Sequence, residues 1–192
     1  MKNILIINAH PDQESFCKAL AESYLKGTEA GNHTCKLVNL NELQFNINLP
    51  KGFRVPTPLE PDIIEVQKMI SESNHIVIIY PNWWSTFPAL LKGFIDRTFL
   101  PGFAFKYREN SPLWDKLLIG KTAHLIVTMD SPYWYYKCIA HQPGIHALRK
   151  GILGFCGIKT VKTSVFSPMK SSQESKRKQW LNSVFEDGKS GK

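Results

Sequence analysis

Apolar residues in this chain follow two alternating patterns. Some form short unbroken runs; elsewhere they recur every third or fourth position. The runs read as buried strands and the spaced stretches as helices with one inward face. Asn3 to Ala9 is predicted to be a first strand, Cys35 to Leu40 a second and His75 to Tyr80 a third. Thr122 to Thr128 is a fourth and Thr160 to Phe166 a fifth. Between them, Phe16, Ala19, Leu20 and Tyr24 mark a helix over Ser15 to about Lys26. Ile63, Val66, Gln67 and Ile70 mark another over Asp62 to Glu72. Further helices are predicted over Pro88 to Phe99, Ile145 to Phe155 and Ser172 to Phe185. Residues 41–59 hold three prolines and read as irregular, as do the aromatic-rich stretches around 100–119 and 129–144. The closing EDGKSGK reads as frayed.

Strict alternation of strand and helix predicts an α/β fold of the flavodoxin-like type: a doubly wound five-stranded parallel sheet, order 2-1-3-4-5, with helices on both faces. The first, third and fourth strands are apolar with little alternation, as strands covered on both sides must be. A length of 192 residues fits one domain with a sizeable core. No apolar run is long enough for a membrane span, and Ile4 to Ile7 is too short for a signal-peptide core, so the expected location is cytoplasmic. The cysteines Cys17, Cys35, Cys138 and Cys156 contain no C-x-x-C pair, so no metal site is expected and free thiols fit best.

The formal net charge is +8. Residues 159–192 hold eight Lys or Arg against three acids, so most of the excess lies in the last segment, where no nucleic-acid motif occurs. A solvated helix face, or attraction to an anionic cofactor, accounts for it without a nucleic-acid partner.

In an open parallel sheet, ligands bind beyond the carboxyl ends of the strands, where the strand order reverses. Three chemically unusual loops are predicted to meet there. The first, His10 to Phe16, opens a helix, whose unpaired N–H groups suit a phosphate. Its plainer reading is a strand-end histidine and a Ser15 helix cap. The second, Pro81-Asn82-Trp83-Trp84-Ser85, puts two indoles at the end of the most apolar strand. The third runs from Thr128 through Met129, Asp130 and Ser131 into Tyr133-Trp134-Tyr135-Tyr136. For both, the alternative is packing at a core edge or subunit interface, where Trp and Tyr are enriched. G-x-G-x-x-G and G-x-x-x-x-G-K-[ST] are absent. A helix start for a phosphate beside two loops for a flat ring describes a flavin mononucleotide site.

At these loops the chain resembles the flavodoxin-like NAD(P)H:quinone oxidoreductases. That group includes mammalian quinone reductase and shorter bacterial enzymes such as the modulator of drug activity B and the ancillary oxidoreductase of a potassium-efflux system. The matching residues are Pro81, Trp83, Trp84, Pro88, Ala89, Leu91, Lys92, Phe94, Ile95, Asp96, Arg97 and Phe99, then Gly102-Phe103-Ala104-Phe105. Ala9-His10 with Ser15-Phe16 and Phe155-Cys156-Gly157 match as well.

The resemblance implies a bound flavin, NAD(P)H as hydride donor, a small quinone-like acceptor, ping-pong kinetics and a homodimer with sites at the subunit interface. His10, Ser15, Phe16 and Cys17 would meet the phosphate and ribityl chain. Pro81 and Asn82 to Ser85 would line the ring, and Thr128, Met129, Asp130 and Ser131 its pyrimidine end. Many relatives carry T-T-G-G where this chain has Thr128-Met129-Asp130-Ser131, which changes how closely backbone can approach a ring. The catalytic Tyr and His of the mammalian enzyme have no fixed counterpart, leaving Tyr135, Tyr136, His141 and His146 as candidates. Lack of the long mammalian C-terminal extension favours FMN, with FAD the alternative. Other roles of the same fold are a flavin-binding regulatory subunit of a partner such as an ion-efflux system, or a general FMN or azo-dye reductase.

Overall fold

Strands β1 (Asn3–Asn8), β3 (His75–Pro81) and β6 (Thr122–Thr128) carry the most continuous apolar sequences and occupy the middle of the sheet. Every residue of β3 is buried. The outer strands β2 (Thr34–Asn39) and β7 (Lys159–Phe166) are more polar and only partly buried, as one-neighbour strands should be. The computed structural model describes all 192 residues and orders these strands β2-β1-β3-β6-β7, every pair parallel. Counted among sheet strands alone, this is the expected 2-1-3-4-5 order.

Side chains leave the central strands alternately toward two cores, because strand periodicity is two residues. Leu5, Ile7, Ile76, Ile78 and Tyr80 join one core with Ile63, Val66 and Ile70 of α2 (Pro61–Glu72) and Leu91 and Phe94 of α3 (Ala89–Thr98). Ile4, Ile6, Val77 and Ile79 join the other with Leu20, Ala21 and Tyr24 of α1 (Phe16–Ala30) and Trp180 and Val184 of α7 (Glu174–Ser190).

Four segments differ from the sequence expectation. The stretch 100–119 contains an antiparallel hairpin of β4 (Phe105–Tyr107) and β5 (Trp114–Lys116). Trp114 anchors it, stacked on Phe155 at 4.3 Å between centroids, with its indole N–H donating to the Phe155 carbonyl at 2.9 Å. The aromatic loop after β6 contains a short helix, α4 (Tyr133–Cys138). The predicted helix over Ile145 to Phe155 is a composite: α5 (Pro143–His146), a π-helical stretch over Ala147–Leu153, and α6 (Gly154–Cys156). The end of the chain is not frayed: α7 runs to Ser190, and the Lys192 carbonyl accepts a hydrogen bond from the Tyr24 hydroxyl. No helix is long and apolar enough to cross a membrane.

Candidate functional site

Pro81 of β3 pairs with Thr128 of β6, and Thr128 with Phe166 of β7. The loops leaving these strands therefore start side by side, next to the loop leaving β1. Between them lies a cleft of about 250 Å³. His10, Ser15, Phe16 and Cys17 line it from the first loop, Pro81, Asn82 and Trp83 from the second, and Thr128, Met129 and Asp130 from the third. Trp84, Ser85 and Ser131 are outside its wall. Asp12 and Met169 are wall residues that the sequence reasoning did not single out.

The first loop is shaped by hydrogen bonds to its own backbone. The His10 N–H donates to Asn8 Oδ1 at 3.3 Å, and the Asp12 N–H donates to His10 Nδ1 at 3.0 Å. Nδ1 is thus an acceptor, which places the proton of the neutral ring on Nε2 as a free donor. Burial holds His10 below the ordinary imidazole pKa, against the opposing pull of the Asp12 carboxylate. Asp12 Oδ1 accepts the Glu14 N–H at 2.9 Å, and Ser15 caps α1 by accepting the Lys18 N–H at 3.3 Å. The Phe16 and Cys17 amides, at the start of the helix, have no carbonyl one turn back. No Lys or Arg lines the cleft. A bound anion would therefore be met by these amides and the helix dipole.

The second loop is a two-residue reverse turn. Trp83 and Thr86 exchange N–H···O bonds at 3.0 and 2.9 Å, while Trp84 and Ser85 sit at φ +51° and +61°. Such turns favour Asn and Gly, and a bulky residue in this conformation costs about 1–2 kcal/mol. The turn is held from outside: the Ser85 carbonyl accepts the Gly144 N–H at 3.0 Å and the Tyr136 hydroxyl at 3.3 Å. At Gly144 a Cβ would lie 2.6 Å from Thr86 Cα, so the close approach requires glycine. This geometry separates the two indoles. Trp83 lies in the wall, edge-on to His10 at 5.7 Å and 76°, whereas Trp84 rides the tip of the turn and is 99% exposed. Trp84 and Ser85, expected to line the ring, thus stand outside the cleft wall formed within one chain. The same left-handed pair that makes the turn carries them outward.

The third loop offers both free donors and a fixed framework. The Asn82 N–H donates to the Thr128 carbonyl at 2.7 Å, tying loops two and three. The Asp130 and Ser131 amides make no hydrogen bond within the chain. Asn82 Oδ1 is buried without a donor. Cys17 Sγ lies 3.3 Å from Thr128 Oγ1, and burial pushes the thiol up to about 12, so Cys17 is a packing residue and no nucleophile.

The four catalytic candidates do not reach this wall. Tyr135 is half exposed and His141 and His146 are exposed on the excursion beyond α4. Tyr136 is buried, its pKa raised by that burial, and its hydroxyl is committed to Ser85. The cleft thus combines a flat aromatic edge, a helix start and unpaired backbone and amide groups, with no cluster of His, Cys, Asp and Glu able to hold a metal. It can hold a planar heterocycle bearing an anionic tail. Met169 was legible in one respect: it follows β7, whose carboxyl end opens on the same edge.

Comparison with known proteins agrees with the fold. A family model described as a flavodoxin-like fold matches residues 2–189. An uncharacterized NAD(P)H oxidoreductase of Haemophilus influenzae is 29% identical, the alignment covering 92% of this chain and 89% of that protein. Human ribosyldihydronicotinamide dehydrogenase (quinone) is 32% identical, over 92% of this chain and 86% of its own. The crystal structure of Smu.1420 from Streptococcus mutans UA159 superimposes with a TM-score of 0.79 at 26% identity, covering 98% of this chain and 99% of that one.

Proposed function

As a member of the flavodoxin-like family, to which it belongs over residues 2–189, this chain is, we propose, a flavin-dependent NAD(P)H oxidoreductase that reduces quinones or similar flat acceptors. The observation that carries the proposal is the meeting of three sequence-distant loops in one cleft at the β1/β3 reversal of strand order.

The residues present fit the cofactor. The orphaned Asn82 Oδ1 suits a ring N–H, and the free Asp130 amide suits a ring carbonyl. The α1 start, with the Nε2 proton of His10, suits a phosphate. FMN, with one phosphate, is the proposed form. When bound, flavin would supply hydride-transfer chemistry, which amino-acid side chains do not perform. The chain's own contribution is placement. Trp83 and His10 would limit a bound ring's lateral freedom, and the free loop-three amide of Asp130 would favour negative charge on it. The open side of the cleft serves NAD(P)H and acceptor in turn. Holding two planar partners face to face is a proximity effect worth several kcal/mol, roughly, of barrier.

Trp84 on the turn and Trp134 of α4, the helix whose Tyr136 hydroxyl bonds that turn, are both exposed, at 99% and 65%. We assign them to a homodimer interface, which would cover the open side and return Trp84 to the ring by way of a second copy.

The test is a visible spectrum of the purified protein followed by turnover with NADPH and menadione. A yellow protein that bleaches with NADPH and recolours with menadione supports the assignment. A colourless protein that takes up neither FMN nor FAD overturns it. His10→Ala should weaken FMN binding about tenfold while leaving thermal stability nearly unchanged, since it removes one charge-assisted donor from a half-exposed site. Equal FMN retention after dialysis would reduce His10 to a loop-shaping residue.

A further inference from the structure

Beyond the sheet, the third loop continues to pair with the chain leaving β7. The Met129 N–H donates to the Phe166 carbonyl at 3.0 Å, and the Met169 N–H donates to the Met129 carbonyl at 3.0 Å. Two side-chain bonds lock this extension. Asp130 Oδ1 accepts the Lys170 N–H at 2.7 Å, and the Ser167 hydroxyl donates to the Ser131 carbonyl at 2.5 Å. From the other side, Arg177 of α7 donates through Nη2 to the Met169 carbonyl at 3.0 Å and through Nε to Ser172 Oγ at 2.9 Å. Its guanidinium lies 5.9 Å from the centroid of the Phe16 ring, itself part of the cleft.

Met169 thus has its N–H fixed by loop three and its C=O fixed by α7, although it lies outside any helix or strand. Such immobilisation places one unbranched, polarizable side chain in the cleft wall, facing the space the other loops leave open. The carboxylate that does the locking stands at the third position of the Thr128–Ser131 loop, where a glycine could accept nothing from Lys170.

We propose that Met169 is a flavin-contacting binding residue of this cleft, and that Asp130 is the positioning residue that holds it there through the Lys170 amide. The proposal rests on the flavin reading given above and adds a fourth loop, the one after β7, to the site.

The experiment measures FMN binding to the apoprotein by quenching of FMN fluorescence, together with hydrogen exchange at the Lys170 amide. Met169→Ala and Asp130→Ala should each weaken FMN by about tenfold, and the double variant should be no weaker than Met169→Ala alone. Met169→Leu should bind like the parent, and Asp130→Asn should retain affinity because its amide oxygen still accepts from Lys170. Exchange at Lys170 should quicken in Asp130→Ala but not in Met169→Ala. Parental affinity in Met169→Ala overturns the binding role, and fully additive losses in the double variant overturn the positioning role. A parent protein that binds no flavin sinks the functional reading and Met169's role with it. Exchange at Lys170 still decides separately whether Asp130 holds the segment.

Discussion

Gly188→Ala is expected to lower the unfolding free energy by at least about 2 kcal/mol, and the melting temperature by roughly 4–8 °C. A Cβ on Gly188 would lie 2.3 Å from the Tyr24 carbonyl oxygen, and one on Gly27 would lie 2.1 Å from the Phe185 carbonyl oxygen. Helices α1 and α7 therefore cross backbone to backbone, each carrying a glycine at the contact. Both obstructing atoms are main chain, so no side-chain rotation relieves the clash. The helices must separate, and separation unpacks Trp180 and Val184 from Leu20 and Tyr24. It also loosens the Ser23 hydroxyl bond to the Leu181 carbonyl, now 2.8 Å. The control is Gly151→Ala. A Cβ there meets nothing within 4 Å, and the residue is helical, so the change should be neutral or stabilising by up to about 1 kcal/mol. Equal melting temperatures for Gly188→Ala and the parent would mean that the two helices do not touch as described.

The same residue shows why part of the fold was hidden in the sequence. EDGKSGK looks like a solvated end because it is polar and contains two glycines, yet Gly188 is there to let α7 reach α1, and Asp187 is buried beside it. A glycine that ends a helix and one that permits close packing are the same letter. The aromatic segment Tyr133–Cys138 failed to read as a helix for a different reason: aromatic residues have modest helix propensity and no apolar stripe emerges from six residues. The β4–β5 hairpin uses three-residue strands and lacks an Asn-Gly or Asp-Gly turn, so periodicity could not reveal it. The π-helical stretch at Ala147–Leu153 keeps a helix-like apolar pattern while changing its winding. The sheet order was legible because three strands are long, apolar and separated by unmistakable helices.

In the site, residue type sufficed to find the loops but not which side chain of each loop faces inward. Trp83 and Trp84 are chemically interchangeable in the sequence. Only the two positive-φ residues at Trp84 and Ser85, and their support from Gly144, separate wall from tip. Asp130 could be read as a misfit to a glycine-rich loop. Its use becomes evident only with the Lys170 amide 2.7 Å away.

Stability should fall steeply on mild acidification. Between pH 7.5 and 5.5 the loss is expected to be up to about 2–3 kcal/mol, read from urea unfolding at each pH. His75 and His124 both lie in the sheet with no solvent exposure, and burial lowers both to about 4. Lys2 and His124 add repulsion at His75, and Lys162 does so at His124. Both rings are neutral in the native state at pH 7, whereas in the unfolded chain each titrates near 6.5. As pH falls from about 6.5 toward 4, the unfolded state takes up protons that the folded state refuses. Stability therefore drops with falling pH, by about 1.4 kcal/mol per unit for each histidine, and these two groups add no further loss below about pH 4. The hydrogen bonds explain the refusal. His124 Nδ1 donates to the Lys192 carbonyl at 3.2 Å, leaving Nε2 to accept from the Ser164 hydroxyl at 2.9 Å. His75 Nδ1 meets Thr122 Oγ1 at 2.7 Å, while its Nε2 is buried with no partner, so a second proton would have no acceptor. The window above pH 5.5 leaves out ordinary carboxylates, which remain ionised there, so the loss comes from histidines, with His75 and His124 shifted most and His10 adding a smaller share. A His75→Asn/His124→Gln variant should be less stable at pH 7.5 yet nearly flat between 7.5 and 5.5. An unchanged slope in that variant would assign the acid sensitivity to other groups and show that these two histidines take up protons within the folded sheet.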